Sequence, residues 1–475
     1  MITRALYIAA LLISLVSYTF FSLGFIFDFA WEFGWMALLF QTVFWIALGV
    51  RSLYSSVPRY DVLLFNLGTL LFMVIDPSLV ALTDDEFPTV WTLISNEDST
   101  GNLTGIVISI FSIGFHLGNF FSHPTVPADT QRFESYSRST LLQSSWILLF
   151  SIALAIGAFF ISVQSLTIDG MAAVLFARST GNVAFATAGL GNESPFITLL
   201  ASCIPATSLI CFSSLEKGKG FKNIVLLFFA ALFMILFMLT GGRSVMVLIL
   251  LSCMIFWLVK SHKKPRLFYV GGVATILFVA LLFQINFRDD ASISDNEVFR
   301  SPLEGFALNR EIAFIVERFG TKEKFTSSDS LFVRSISPLP ETFVLFFSNP
   351  VPRIFWESKP IDSSFGPYNV LRTGSNAFGA STNVTPTIPG RYFMKYGLPG
   401  VIQIAIVFGL VWGTINKQLL KSSGKSISRV LIFSTLSVIM LLSLRDFTPG
   451  KFYPVLFLIL PAVLDRLRLK KVINR

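Results

Sequence analysis

Charge is scarce in this 475-residue chain, where Asp, Glu, Lys and Arg together make up only 14% of the residues. A soluble domain averages about 25% charged residues, so a water-facing surface over the whole molecule is excluded. Cysteine and histidine are rarer still, with three of each. Cys203, Cys211 and Cys253 all fall in apolar runs, which excludes a disulfide framework and a cysteine-based zinc cluster. His116, His123 and His262 are not at ligand spacing, so neither a metal site built from histidine nor any other cofactor is expected. The chain is instead rich in apolar side chains: 53% of it is hydrophobic, 51 residues are Phe, and the mean hydropathy is +0.70.

Apolar runs of bilayer-spanning length, about 20 residues each, recur from one end to the other. Lipid offers no partner to a backbone N–H or C=O, so the fold class that follows is all-α, a polytopic membrane helical bundle. About twelve transmembrane helices are expected at that length per span: Ala5 to Phe27, Phe29 to Val50, Asp61 to Leu82, Leu103 to Ser122, Thr140 to Val163, Pro195 to Leu215, Asn223 to Thr240, Val245 to Val259, Leu267 to Phe287, Leu398 to Ile415, Val430 to Leu444 and Phe452 to Leu464. The first run is longer than a signal-peptide core and has no small-x-small cleavage site, so it is expected to stay as a span.

Orientation follows from Lys and Arg. With the N-terminus in the cytoplasm, every inner connection is basic, from Arg4 through Arg51 and Arg59, Arg132 and Arg138, Lys217 to Lys222, Lys260 to Arg266 and Lys417 to Arg429, to the tail after Arg466. The outer connections carry acids such as Asp84, Asp85, Glu86, Glu97 and Asp98. The net charge of +9 is therefore a topology signal, and no nucleic-acid partner is expected. The chain divides into an N-terminal bundle over 1–287, a large outer loop over 288–395, and the last three spans with a basic tail over 396–475.

Structured loops over 100 residues long are uncommon unless they work. Residues 288–395 hold eight Arg and four Lys against twelve acids, so a generally basic surface does not explain the arginines. Helical patches are expected at Leu303 to Arg318 and at Glu341 to Phe347. Within the first, Arg310 and Glu317 sit on neighbouring turns as a plain helical ion pair, with Glu311 left as a candidate base. Asp76, ahead of Pro77, reads as the cap of a kink.

Four elements offer anion-binding chemistry. Thr240-Gly-Gly-Arg-Ser244 joins two spans at the outer face, where a helix N-terminus and Arg243 present donors together; a turn with a snorkelling Arg is the plainer alternative. Pro350-Val-Pro-Arg-Ile-Phe-Trp-Glu-Ser-Lys-Pro360 places Arg353 and Lys359 around Phe355 and Trp356, which suits a phosphate beside a sugar face and equally suits an interfacial anchor. Arg391 and Tyr392 lie in Ile388-Pro-Gly-Arg-Tyr-Phe393, just before a span. Arg288 and Arg445 follow two others on the same side, where each has an adjacent acid to pair with.

The Thr-Gly-Gly-Arg-Ser turn, the Pro-Arg-x-x-Trp-x-x-Lys-Pro pattern at 352 to 360, Gly390-Arg-Tyr392 and the late Arg445, in this order, resemble the Wzy-type polymerases of O-antigen and related oligosaccharide repeat units. The resemblance covers mainly the C-terminal half, from about Asn223; the earlier spans agree only in hydropathy. It implies a GT-C-like integral glycosyltransferase of the bacterial inner membrane, facing the periplasm, acting on undecaprenyl-pyrophosphate-linked oligosaccharides without a metal. A chain-length regulator, a flippase and membrane lipids are the partners it implies. It assigns Arg243, Arg353 and Arg391 to the pyrophosphate, with Arg288, Lys359, Arg445, Trp356 and Tyr392 as further substrate contacts. The alternatives are an O-antigen ligase, which usually depends on a histidine in this loop that the present chain lacks, and a flippase, which would line a central cavity with charge.

Overall fold

A computed structural model describes residues 4–27, 31–55, 57–83, 97–122, 145–163, 202–215, 220–239, 243–261, 308–319, 387–422, 427–445, 449–459 and 463. The described residues are helical or in short connections, with no strand among them. In chain order the helices are α1 (Arg4–Phe27), α2 (Glu32–Leu53), α3 (Tyr60–Thr69), α4 (Ile75–Thr83), α5 (Glu97–Phe121), α6 (Ser145–Val163), α7 (Cys203–Ser213), α8 (Gly220–Leu239), α9 (Arg243–Ser261), α10 (Asn309–Phe319), α11 (Ile388–Ser422) and α12 (Ile427–Ser443). One π turn, Leu70–Val74, joins α3 to α4 without a break in the helix.

Among the described residues, five segments are long and apolar enough to cross a membrane: Tyr7–Phe27, Glu32–Leu53, Tyr60–Leu79, Ser99–Phe121 and Ile388–Ser422. Shorter apolar helices lie at five more expected spans, in α6, α7, α8, α9 and α12. The expected span Leu267 to Phe287 and the expected helix Glu341 to Phe347 lie outside the described residues. Of the last span, residues 453–459 are helical.

Side chains fix how the helices run. Trp45 on α2 donates to Ser14 on α1 at 3.0 Å, while Gly34, at the other end of α2, lies against Phe21. The two helices are therefore antiparallel. Tyr7 donates to the His116 carbonyl at 3.0 Å and Gly24 adjoins Asn102, so α5 also runs against α1. Lipid supplies no hydrophobic drive between helices, so close approach must come from small residues. The seam between α5 and α11 shows this: Gly114 meets Ala405, Gly118 lies on the Ile406 carbonyl, Gly409 lies on the Phe115 carbonyl, and Gly413 meets Ser122. Each helix contributes a Gly-xxx-Gly pair, and the ordered contacts make the two parallel.

The ends of the bundle follow from these directions. One end gathers Tyr7, Arg59, Asp61, Asn119 and Asn416, where Arg59 grips Asp61 with Nε–Oδ1 and Nη2–Oδ2 distances of 3.1 Å. Asn119 donates to Asp61 at 2.6 Å and accepts from Arg59, and Asn416 donates to the Pro58 carbonyl at 3.1 Å. His116 stacks on Trp45 at 3.7 Å and its Nε2 lies 3.3 Å from Asn66 Oδ1, which gives this histidine a structural setting. The opposite end gathers Trp31, Asp76, α10, the first turns of α11 and the end of α12.

Candidate functional site

The second end is built around the π turn. Ile75 N–H bonds the Leu70 carbonyl, which closes the turn. The turn also carries the Phe72 carbonyl, which bonds outside its own helix. Leu308 N–H takes it at 2.8 Å, docking the segment that enters α10. One turn further, Asp76 receives Arg310 Nε at 3.1 Å and Nη2 at 2.9 Å, with Asn309 Nδ2 at 3.0 Å. All three residues are buried. Asn309 Oδ1 is buried without a hydrogen-bond partner.

The pairing adds to the sequence reading: Asp76, read as the cap of a kink, is also the ionic partner of Arg310. Nothing in the local sequence of either residue signals a partner 234 positions away. Of the expected helix from Leu303 to Arg318, the part from Asn309 on is observed as α10, and residues 303–307 lie outside the described residues.

The apolar side of α10 rests on α11. A Cβ on Gly390 would stand 2.9 Å from Ile315 Cδ1, so only glycine admits this approach without a shift. Ile312 and Ile315 are fully buried. Glu311, one turn before Ile315 on the same face, is buried at 9% exposure. The first turn of α11 is capped by Thr387, whose Oγ1 accepts from Gly390 N–H at 3.1 Å. Beyond Tyr396 the backbone breaks at Gly397, where φ is 62°, next to Pro399. Arg391 and Tyr392 therefore sit on a helical arm, set off by this break from the span that follows. The Arg391 guanidinium lies 5.9 Å from the Tyr392 ring centre, and the Tyr392 and Tyr396 rings stack at 6.1 Å.

The end of α12 closes the group. Ile388 N–H reaches the Leu444 carbonyl at 3.4 Å, which brings exposed Arg445 to the foot of the arm, and Lys451 donates to the Leu442 carbonyl at 3.1 Å. Of the expected site residues, Glu311, Arg391, Tyr392 and Arg445 thus share one end of the bundle. Arg243 is the first residue of α9. Arg288, Arg353, Trp356 and Lys359 lie outside the described residues, so their approach to Arg391 does too. Among the residues described, no cluster of His, Cys, Asp and Glu has the makings of a metal site.

A family model described as O-antigen polysaccharide polymerase Wzy matches residues 10–338. No curated protein and no solved structure matches the chain. The match spans more than half of the sequence, and the chain belongs to this family. The family carries O-antigen polymerase activity, a glycosyltransferase-type polymerisation of lipid-linked oligosaccharide repeat units in membranes. The matched stretch begins far earlier than the resemblance carried by the C-terminal motifs. It includes Arg243, Asp76, Asn309, Arg310 and Glu311, and it ends before Arg353, Lys359, Arg391 and Arg445.

Proposed function

We propose that this member of the O-antigen polysaccharide polymerase Wzy family joins undecaprenyl-pyrophosphate-linked repeat units at the periplasmic face of the inner membrane, on a GT-C-like bundle of about twelve spans. The non-reducing hydroxyl of an incoming unit attacks the anomeric carbon of the growing chain. A glycosidic bond forms, the bond from that carbon to the pyrophosphate oxygen breaks, and undecaprenyl pyrophosphate leaves with the electron pair. Glu311 takes the hydroxyl proton. Arg243, Arg353 and Arg391 hold the pyrophosphate, with Arg288, Lys359 and Arg445 beside them and Trp356 and Tyr392 against the sugars. Charge-assisted, paired N–H donors in a partly dehydrated site stabilise the negative charge that grows on the leaving group, so no metal is required of this mechanism.

The observation that carries this reading is the family match, and the gathering of Glu311, Arg391 and Arg445 at one end of the bundle supports it. The basic residues of the opposite end, Arg4, Arg51, Arg59 and Lys417, favour the cytoplasm for that end. A strain lacking the protein is expected to carry one repeat unit on its lipid core in place of a ladder; bare core indicates a ligase or flippase. An alkaline phosphatase fusion near Ser330 is expected to be active, and an inactive one overturns the periplasmic assignment.

A further inference from the structure

Among the contacts that hold α10 to the bundle, two kinds do different work. Ile312 and Ile315, both fully buried, supply adhesion against α11. Apolar contact is non-directional and leaves a helix free to slide or rotate by fractions of a turn. The bonds at its N-terminus are directional: Leu308 N–H to the Phe72 carbonyl, Arg310 to both oxygens of Asp76, and Asn309 to one of them. A buried ion pair adds little net stability over apolar packing of the same volume, because both charges lose their water. What this one adds is a single allowed rotation and depth for the helix. Glu311 follows directly on the two anchored residues, and Ile315 on the same face touches the turn that carries Arg391.

We propose that Asp76 is a positioning residue of the transfer site, which fixes the rotation of α10 and thereby places Glu311 against the Arg391 arm. The inference rests on the proposed function for its kinetic consequence, while the anchoring itself does not. Asp76, Asn309, Arg310 and Glu311 all lie within the stretch that defines the family match. Asp76 itself touches neither substrate nor reacting atoms; it acts through Arg310 and Asn309.

The test uses the full-length protein in lipid nanodiscs with a lipid-linked repeat unit as substrate, and counts turnover per folded molecule. Asp76→Asn removes the charge and one half of the paired contact at nearly constant volume. The kcat is expected to fall at least about tenfold, since a small misplacement of a reacting group is costly. The KM is expected to stay within about threefold, because no substrate contact is lost. Hydrogen exchange over residues 309–319 is expected to quicken in the same variant. Arg310→Lys keeps the charge, loses the paired geometry, and carries the same test if Asp76→Asn is lost from the membrane. Asp76→Glu, which restores the charge, is expected to recover part of the kcat lost in Asp76→Asn. A kcat within about twofold of the parent, or a raised KM at constant kcat, overturns the positioning role. If the parent protein itself fails to extend the substrate, the proposed function falls, and hydrogen exchange alone decides whether Asp76 anchors α10: unchanged exchange overturns it.

Discussion

The two ends of one membrane helix carry the same chemistry for different ends. Asp61 opens α3 and pairs with Arg59, two residues away; Asp76, beyond the π turn, pairs with Arg310, separated by 234 residues. The first pair is local, is further tied to Asn119, and sits among helices that pack along their whole length. It fastens the start of a span. The second holds a short helix whose Ile312 and Ile315 pack against α11, at the end where Glu311, Arg391 and Arg445 gather. The difference teaches that a buried ion pair in a membrane protein can be scaffold or registration device, and that the distance to its partner along the chain separates the two.

Removing one member of each pair sharpens the contrast. Asp61→Ala leaves Arg59, 2% exposed, without its counter-charge. Stranding a buried charge costs about 3–5 kcal/mol, and loss of the protein from the membrane is the expected result, read by immunoblot and by size exclusion in detergent. Next in size is Gly118→Leu, which drives a side chain into the Ile406 backbone and pushes α5 from α11. Overpacking costs about 1–3 kcal/mol, and more where backbone is the obstacle; the melting midpoint in detergent is expected to drop. That seam keeps both ends in place, so activity and stability are expected to fall together.

Asp76→Ala takes this counter-charge from Arg310 in the same way, but Arg310 keeps 7% exposure against 2% for Arg59 and sits on a short helix at the end of the bundle, so the loss is expected to fall below the roughly 3–5 kcal/mol of the first pair. The protein should still accumulate while its glycan ladder shortens. Equal losses of protein from the two Ala variants would erase the distinction between scaffold and registration. Arg353→Lys is expected to leave protein level unchanged and to shorten the surface glycan, since a lysine keeps the charge without the planar paired donors. Full-length glycan from that variant makes Arg353 an interfacial anchor. The smallest effect is expected at Thr19→Val, on an exposed stretch of α1 where the hydroxyl only bonds the Leu15 carbonyl of its own helix. A change within about 0.5 kcal/mol in detergent is expected there.

Much of the fold was written in the sequence because lipid makes the rules simple. Apolar length fixes a span: α1, α2 and the α3–α4 pair begin and end within three residues of the expected runs, while α5 starts six residues ahead of Leu103. The Gly-xxx-Gly spacings at Gly114 and Gly118 and at Gly409 and Gly413 carried no such message, because a glycine pair does not say which helix it will meet. Thr387 caps a helix that starts at Ile388, ten residues ahead of the expected span at Leu398, and hydropathy gave no sign of it.

Tertiary structure alone decided the rest. Hydropathy and charge say how many times a chain crosses and which way it faces, because each residue answers separately to the lipid and to the positive-inside bias. They are silent about partners, because a carboxylate is equally charged whichever arginine it meets. Asp76 and Pro77 were visible as a local irregularity, but only the folded chain shows that Leu308 N–H bonds the Phe72 carbonyl and that the aspartate takes Arg310 beside it. Composition thus set the membrane bundle, while the pairing of distant residues, satisfied only when desolvated groups meet in three dimensions, set where Glu311 and Arg391 stand.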